Sequence, residues 1–225
     1  MYHYYLFHLF SLSLMLVNIV MINAWKPESY AFHPKIHMLG NHGFMGKIHA
    51  EIAPIATKLI DDKAYNGIDI RKQLIEEYQD NHSILDLCCG TGFSTPPQDN
   101  NYYHLGIDIS KEMIHKANKL WDNKNFQVGN AETFYTPHPF DIVTIYYAFH
   151  EIPQKHRLNI LNNAIRNARK KVIIVDICPD YNPSPMMLMG EPYIKEYLKN
   201  IHDDLKDFDK KTIIQGHVVQ WTYLL

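Results

Sequence analysis

A short apolar run followed at once by a glycine turn constrains this chain more than any other feature of its sequence. Residues 84–95 read ILDLCCGTGFST, and residues 105–110 read LGIDIS. Each run predicts a β-strand that carries an acid, Asp86 in the first and Asp108 in the second, 22 residues later. Strand, glycine turn, helix and a second strand with an acid is the order of a nucleoside-binding βαβ unit.

The turn between the two runs indicates which kind of nucleoside ligand is expected. Gly90 and Gly92 allow the backbone to approach a ligand closely, because glycine has no Cβ. A carboxylate about 20 residues further on binds the ribose hydroxyls in such units, and Asp108 is at that distance. A dinucleotide site favours a third glycine after G-x-G, and Thr95 stands there instead. An NAD-type oxidoreductase is therefore the weaker alternative.

The run D-L-C-C-G-T-G followed by G-I-D-I-S resembles motif I and the acidic loop of the class I S-adenosylmethionine-dependent methyltransferases. Three later segments follow in that family's order. Residues 129–134 resemble its adenine-side loop, residues 140–153 its fourth strand with the loop after it, and residues 170–179 its fifth strand. The motif I segment is also similar to that of ubiquinone/menaquinone-type members. The resemblance implies S-adenosyl-L-methionine as the cofactor and methyl transfer as the activity.

The same resemblance assigns the cofactor site. It implies that Asp86 lies near the methionyl amino group and that Asp108 binds the ribose. Two positions depart from the family's pattern, since Cys88 replaces a glycine and Asn130 replaces an aspartate. An amide at residue 130 still offers hydrogen bonds to an adenine edge, but without charge. The residues expected to bind the cofactor are Asp86, Cys88, Gly90, Thr91, Gly92, Asp108, Ile109, Asn130, Ala131 and Tyr146.

The expected catalytic residues are His150 and Glu151, which follow the fourth predicted strand. In the family this loop faces the transferred methyl group. Methyl transfer from a sulfonium needs an aligned acceptor, and it needs a base only when the acceptor atom carries a proton. Histidine accepts a proton at neutral pH, since its ordinary pKa is near 6.5. In the alternative interpretation, Glu151 simply caps the helix that follows Pro153.

Composition narrows the choice of acceptor. The net charge is −2 and the isoelectric point is near 6.7, so no basic field is available to hold nucleic acid. Neither H-E-x-x-H nor C-x-x-C occurs, so no metal site is expected. These features favour a small-molecule acceptor. A non-catalytic protein that binds S-adenosylmethionine, or a scaffold, is the alternative from another functional class.

The periodicity of apolar residues predicts strands that alternate with helices. We expect an α/β fold with a Rossmann-like, doubly wound seven-stranded sheet, mostly parallel, with an antiparallel C-terminal hairpin within residues 212–225. Residues 64–225 are the expected methyltransferase domain, and residues 25–63 are a lead-in segment with a helix. A short helix is also expected after the glycine turn, although Pro96 and Pro97 interrupt it.

Residues 1–24 are set apart by their apolar character. The first 25 residues contain no Lys, Arg, Asp or Glu. They are interpreted as a signal peptide cleaved after Ala24 or as a membrane anchor, with a buried N-terminal helix as a further alternative. The expected localisation is therefore membrane-associated or targeted, and membrane association through this segment is the expected partner interaction besides the acceptor.

Overall fold

The structure, a computed structural model, describes residues 30–225, so the predicted signal peptide or anchor at residues 1–24 lies outside the described residues. This part of the chain contains seven strands and six α-helices. The strands are β1 (Ile84–Leu87), β2 (His104–Asp108), β3 (Phe126–Val128), β4 (Phe140–Tyr146), β5 (Ala168–Ile177), β6 (Asp209–Ile214) and β7 (Val218–Leu224). The helices are α1 (Gly43–Ala64), α2 (Ile70–Tyr78), α3 (Lys111–Leu120), α4 (Gln154–Asn167), α5 (Pro185–Gly190) and α6 (Ile194–Asp204).

The sheet has the predicted architecture. Its strand order is β3-β2-β1-β4-β5-β7-β6, with β1 to β5 parallel and β7 antiparallel to both of its neighbours. The predicted C-terminal hairpin turns at Gly216, whose φ of +73° suits glycine. Because the chain moves outward from β1 to β2 and returns to β4 on the other side, a crevice forms where β1 and β4 end.

The helix expected between β1 and β2 is absent, and this prediction was wrong. Residues 91–103 form an irregular loop in its place. Pro96 and Pro97 lack the backbone N–H that an α-helix needs, so a helix cannot extend through them. Just before them, the Ser94 and Thr95 hydroxyls donate to Asp86, and these bonds hold the loop against β1.

Helix α1 forms most of the lead-in segment and packs against α3. It begins at Gly43, and it continues through Pro54 to Ala64. The backbone N–H of Gly43 donates to Glu112 of α3 over 3.1 Å, and Lys116 of α3 pairs with Glu51. These contacts place α1 above the carboxyl ends of the strands. Within residues 30–225, no helix is both long enough and apolar enough to cross a bilayer.

Candidate cofactor and acceptor site

A cavity lies at the carboxyl ends of β1, β2 and β4, and the segment that precedes α1 covers it. Nine of the twelve predicted site residues line this cavity: Cys88, Gly90, Thr91, Asp108, Ile109, Asn130, Ala131, Tyr146 and Glu151. The other three are Asp86, Gly92 and His150, which lie behind the wall. The crossover of the sheet therefore brings together residues that are more than 60 positions apart in the sequence.

The glycine turn after β1 forms one wall in a left-handed backbone conformation. Cys88, Gly90 and Gly92 have φ values of +61°, +53° and +84°. A Cβ added at Gly92 would lie 2.4 Å from Cζ of Phe126, so this glycine is required for packing as well as for its φ. Cys88 adopts its conformation at a cost of about 1–2 kcal/mol, since it carries a Cβ. Burial raises the pKa of its thiol well above the ordinary value, so the thiol is protonated at neutral pH.

Asp108 occupies the position expected of a ribose-binding carboxylate. One carboxylate oxygen accepts the N–H of Gly90 over 2.9 Å, and the other accepts the N–H of Ser110 over 2.8 Å. Each oxygen can accept a further hydrogen bond, because a carboxylate offers about four acceptor sites. Burial raises the pKa of Asp108 to about 6, although the two N–H groups oppose the shift. The side chain is therefore mostly ionised at neutral pH.

Asp86 supports the site from below and does not line the cavity. Its side chain is fully buried and accepts three hydroxyl groups, those of Ser94, Thr95 and Thr144, over 2.8, 2.6 and 3.0 Å. These bonds join β1 and β4 to the loop after the glycine turn. The cavity wall next to Asp86 is formed by Ser94, one of the residues that it holds.

The loop after β3 forms the wall at which the resemblance expects the adenine. The side-chain oxygen of Asn130 accepts the N–H of Glu132 over 2.8 Å, which leaves its NH2 group as a donor for a ligand. Glu132 in turn accepts the Tyr30 hydroxyl over 2.9 Å and the His156 ring over 3.0 Å. Tyr30 lines the cavity, so Glu132 fastens the N-terminal cover to this loop.

His150 points away from the cavity, towards β5. Its Nδ1 lies 2.7 Å from a carboxylate oxygen of Asp176, and the His150 side chain is buried. Burial opposes protonation, but the negative charge of Asp176 outweighs it and raises the pKa of His150 to about 9. The imidazole is therefore cationic at neutral pH and has no lone pair with which to accept a proton. The catalytic role of His150 stays a prediction.

Glu151, unlike His150, lines the cavity, and it meets a histidine from the N-terminal segment. Nε2 of His37 lies 2.8 Å from Glu151, and Nδ1 of His37 lies 2.8 Å from Glu191. A neutral imidazole carries only one N–H, so donation to both carboxylates requires the imidazolium form. Burial alone would lower the pKa of His37, but the two carboxylates raise it well above the ordinary value.

The same three side chains have a spacing that a metal ion can span, since their ligand atoms lie within 4.8 Å of one another. In the observed geometry, however, the two carboxylates face different nitrogens of one ring. The two nitrogens of an imidazole cannot bind the same ion, so this arrangement fits an imidazolium bridge. That the site works without a metal stays a prediction.

The residues that cover the cavity were not among the predicted site residues. Tyr30, His37 and Asn41 line it from the N-terminal segment, and His49 lines it from α1. Nδ1 of His49 donates to the Gly40 carbonyl over 2.9 Å, so Nε2 is the acceptor. Burial lowers the pKa of His49 to about 4, which keeps the ring neutral. The only sequence signal was the group of histidines between residues 33 and 49.

Comparison with known proteins agrees with this architecture. Residues 84–180 match a family described as "Methyltransferase domain". No curated protein sequence matches the chain. Among solved structures, the plantazolicin methyltransferase BamL, in complex with a triazolic desmethylPZN analog and SAH, is similar with a TM-score of 0.54 and 17% identity, over 88% of this chain and 96% of that chain.

Two further structures share the fold. An S-adenosylmethionine-dependent methyltransferase from Clostridium acetobutylicum has a TM-score of 0.54 and 12% identity, over 79% of this chain and 99% of its own. A SAM-dependent methyltransferase from Aquifex aeolicus has a TM-score of 0.50 and 20% identity, over 76% and 97%. The comparisons lead to one conclusion: over residues 84–180 this chain matches the methyltransferase-domain family, and its sheet has the fold of the S-adenosylmethionine-dependent methyltransferases.

Proposed function

We propose that this protein transfers a methyl group from S-adenosyl-L-methionine to a small-molecule acceptor by in-line displacement. The observation that carries the proposal is Asp108, held by the N–H groups of Gly90 and Ser110 at the cavity wall with acceptor capacity to spare. That placement suits a vicinal diol such as the ribose of the cofactor. The similar BamL structure holds SAH, which supports the same ligand class.

The other walls fit the remaining parts of this cofactor. The turn from Cys88 to Thr91 offers a close backbone approach to the methionyl part, because Gly90 has open space where a Cβ would stand. Asn130 and Ala131 would lie beside the adenine, with the Asn130 amide as a neutral donor. Asp86 would act through the loop that it fastens, without contacting the ligand.

The acceptor end is expected between α1 and the loop after β4, where His49, Glu151 and Tyr147 line the cavity. In the reaction, an acceptor lone pair forms a bond to the methyl carbon as the sulfonium carbon–sulfur bond breaks and its electron pair goes to sulfur. The protein's main contribution is alignment at about 3–3.5 Å. Where the acceptor carries a proton, the neutral His49 Nε2 or the Glu151 carboxylate would accept its hydrogen bond.

Equilibrium binding tests the cofactor assignment. Calorimetry should show binding of S-adenosylmethionine and S-adenosylhomocysteine, and no binding of NAD. Asp108→Asn should weaken S-adenosylmethionine binding about 10- to 150-fold, because it removes charge-assisted hydrogen bonds worth roughly 1.5–3 kcal/mol. Asp203→Asn, at an exposed position on α6, is the matched control and should leave the affinity unchanged. NAD binding, or equal affinity in both variants, would overturn the assignment.

Turnover separates an enzyme from a protein that only binds the cofactor. A metabolite extract incubated with the protein and methyl-labelled S-adenosylmethionine should yield a labelled small molecule, and Asp108→Asn should reduce the yield. Tight cofactor binding without any labelled product, across extracts of different polarity, would favour the non-catalytic scaffold.

A further inference from the structure

Helix α1 presents a stripe of large apolar side chains to solvent. Phe44, Ile52, Ile55 and Leu59 expose 73%, 40%, 61% and 53% of their surface. Their spacings of eight, three and four residues place them on one face of the helix, and Ile48 lies between them on the same face. From Phe44 to Leu59 the stripe runs for about 22 Å, at 1.5 Å per residue. We call these five residues the α1 stripe.

The core of the protein does not account for the α1 stripe, since α1 already buries its opposite face. Gly46 and Ala50 are buried, and His49, Ala53 and Thr57 line the cavity. Across residues 30–225, no part of the fold covers the outer face, so four of the five residues of the α1 stripe stay exposed and Ile48 is half-buried. Scattered apolar residues are ordinary on a protein surface, whereas a contiguous row of them marks an interaction surface.

Charge and sequence context indicate what kind of surface the α1 stripe meets. Lys47, Lys58 and Lys63 are exposed on the same helix, against one exposed acid on α1 without an ion pair within residues 30–225, Asp62. The charge of Glu51 is balanced by Lys116, and that of Asp61 by Arg71. Basic residues beside an apolar helix face suit the anionic surface of a phospholipid bilayer. The first 25 residues of the chain, which carry no Lys, Arg, Asp or Glu, precede this helix and favour the same environment.

A second copy of the chain fits the α1 stripe less well. In an antiparallel two-fold pairing of α1 helices, each flank of one helix faces the same flank of the other. Lys47 and Lys58 share one flank with Glu51, whose charge is already balanced by Lys116, so the lysines would face those of the second copy. Like charges in such positions oppose association, whereas an anionic bilayer attracts them.

We propose that α1 lies flat on an anionic membrane surface, with the α1 stripe inserted among the lipid headgroups and acyl chain ends. The proposal concerns docking parallel to the membrane plane and is independent of the catalytic assignment. One face of α1 lines the cavity and the opposite face would contact the bilayer. The proposal therefore places the N-terminal cover of the cavity next to the membrane.

Co-sedimentation with vesicles tests the proposal on the full chain. Partition onto phosphatidylcholine vesicles that contain phosphatidylserine should be stronger than onto phosphatidylcholine alone. The double variant Ile55→Gln/Leu59→Gln should partition about 10- to 100-fold more weakly, because two inserted side chains are lost. The double variant Tyr135→Gln/Leu224→Gln removes two equally exposed apolar side chains elsewhere, and it should bind like the unmodified chain.

Thermal melts of both double variants should match that of the unmodified chain, because all four positions are exposed. Equal partition of both double variants would assign membrane binding to another part of the chain and overturn the proposal. Absence of vesicle binding by the unmodified chain would overturn it as well. A dimer in light scattering that Ile55→Gln/Leu59→Gln converts to a monomer would assign the α1 stripe to a second copy instead.

Discussion

His37 Nε2 lies 2.8 Å from a carboxylate oxygen of Glu151, and this ion pair joins the N-terminal cover to the loop after β4. The same imidazole ring also contacts Glu191, in the segment after α5. The backbone of His37 and Met38 is left-handed, with φ values of +48° and +62°, a conformation that side chains with a Cβ adopt only at a cost. The ion pairs of His37 therefore help to hold this left-handed segment over the cavity.

The first prediction concerns closure by His37. His37→Gln should increase hydrogen exchange in residues 30–42 and should speed release of S-adenosylhomocysteine about 10-fold, because the bridge to both carboxylates is lost. His138→Gln, at an exposed position outside the cavity, is the control and should change neither rate.

The same bridge predicts a pH dependence. Because the pKa of His37 is raised in the folded protein, the bridge is complete below the ordinary pKa near 6.5 and weakens as the pH rises through the pKa of the folded state. Release should therefore accelerate at alkaline pH in the unmodified protein only, and a pH-independent rate would contradict the bridge.

The second prediction is a pH dependence of cofactor affinity. The pKa of Asp108 is raised to about 6 by burial, and ribose hydroxyls donate better to the ionised form. Affinity for S-adenosylmethionine should be constant above about pH 7 and should fall progressively as pH drops through 6. Asp108→Asn should bind weakly with no such dependence. Calorimetric titrations between pH 5 and 8 measure this dependence. An affinity that stays constant or rises as the pH falls through 6 would contradict the prediction.

The third prediction distinguishes a structural from a catalytic His150. The folded pKa of about 9 lies above the ordinary 6.5, so its pairing with Asp176 stabilises the fold below pH 6.5 and is lost as pH rises through about 9. His150→Gln should lower the free energy of unfolding at pH 6 by roughly 3 kcal/mol and should flatten its decline between pH 6.5 and 9. Denaturant melts across that range measure this effect.

Turnover of the same variant gives the other half of that test. Once an acceptor is known, a loss of kcat of about 10²–10⁴ with unchanged stability would assign His150 a proton-transfer role after all. Near-normal kcat with reduced stability would leave it as the partner of Asp176. Asn200→Gln on α6, away from the cavity, controls for nonspecific loss of stability.

The fourth prediction compares the two glycines of the turn. Gly90→Ala meets open space, so only the left-handed φ costs stability, about 1–2 kcal/mol. Gly92→Ala places its Cβ against the Phe126 ring, and overpacking adds about 1–3 kcal/mol. Urea denaturation should therefore give Gly92→Ala a lower free energy of unfolding than Gly90→Ala. Adding Phe126→Leu to Gly92→Ala should recover part of the difference. Equal stability of the two alanine variants would show that the ring moves aside freely.

Much of the fold was predictable because its signals are local. The alternation of apolar runs predicted the seven strands and the final hairpin, since each strand must bury its side chains in the sheet. The turn and the acid at residue 108 predicted one wall of the cavity, because the short segment from β1 to its parallel neighbour β2 brings them together by itself. The prediction of a helix after the glycine turn was wrong for a local reason as well. Pro96 and Pro97 prevent a helix there, although the resemblance predicts one at this point of the chain.

Only the tertiary structure decided which partners the charged side chains have. Whether His150 faces the cavity depends on Asp176, which lies on a neighbouring strand and captures its Nδ1. The meeting of His37 with Glu151 and Glu191 joins three segments that share no sequence periodicity. An ion pair forms according to the distance between two charged groups and their burial. The pattern of residues along the chain does not specify either quantity for segments that are far apart in the sequence. The sequence by itself determined which residues of the glycine turn and β2 line the cavity, and the packing of distant segments decided how the cavity is covered.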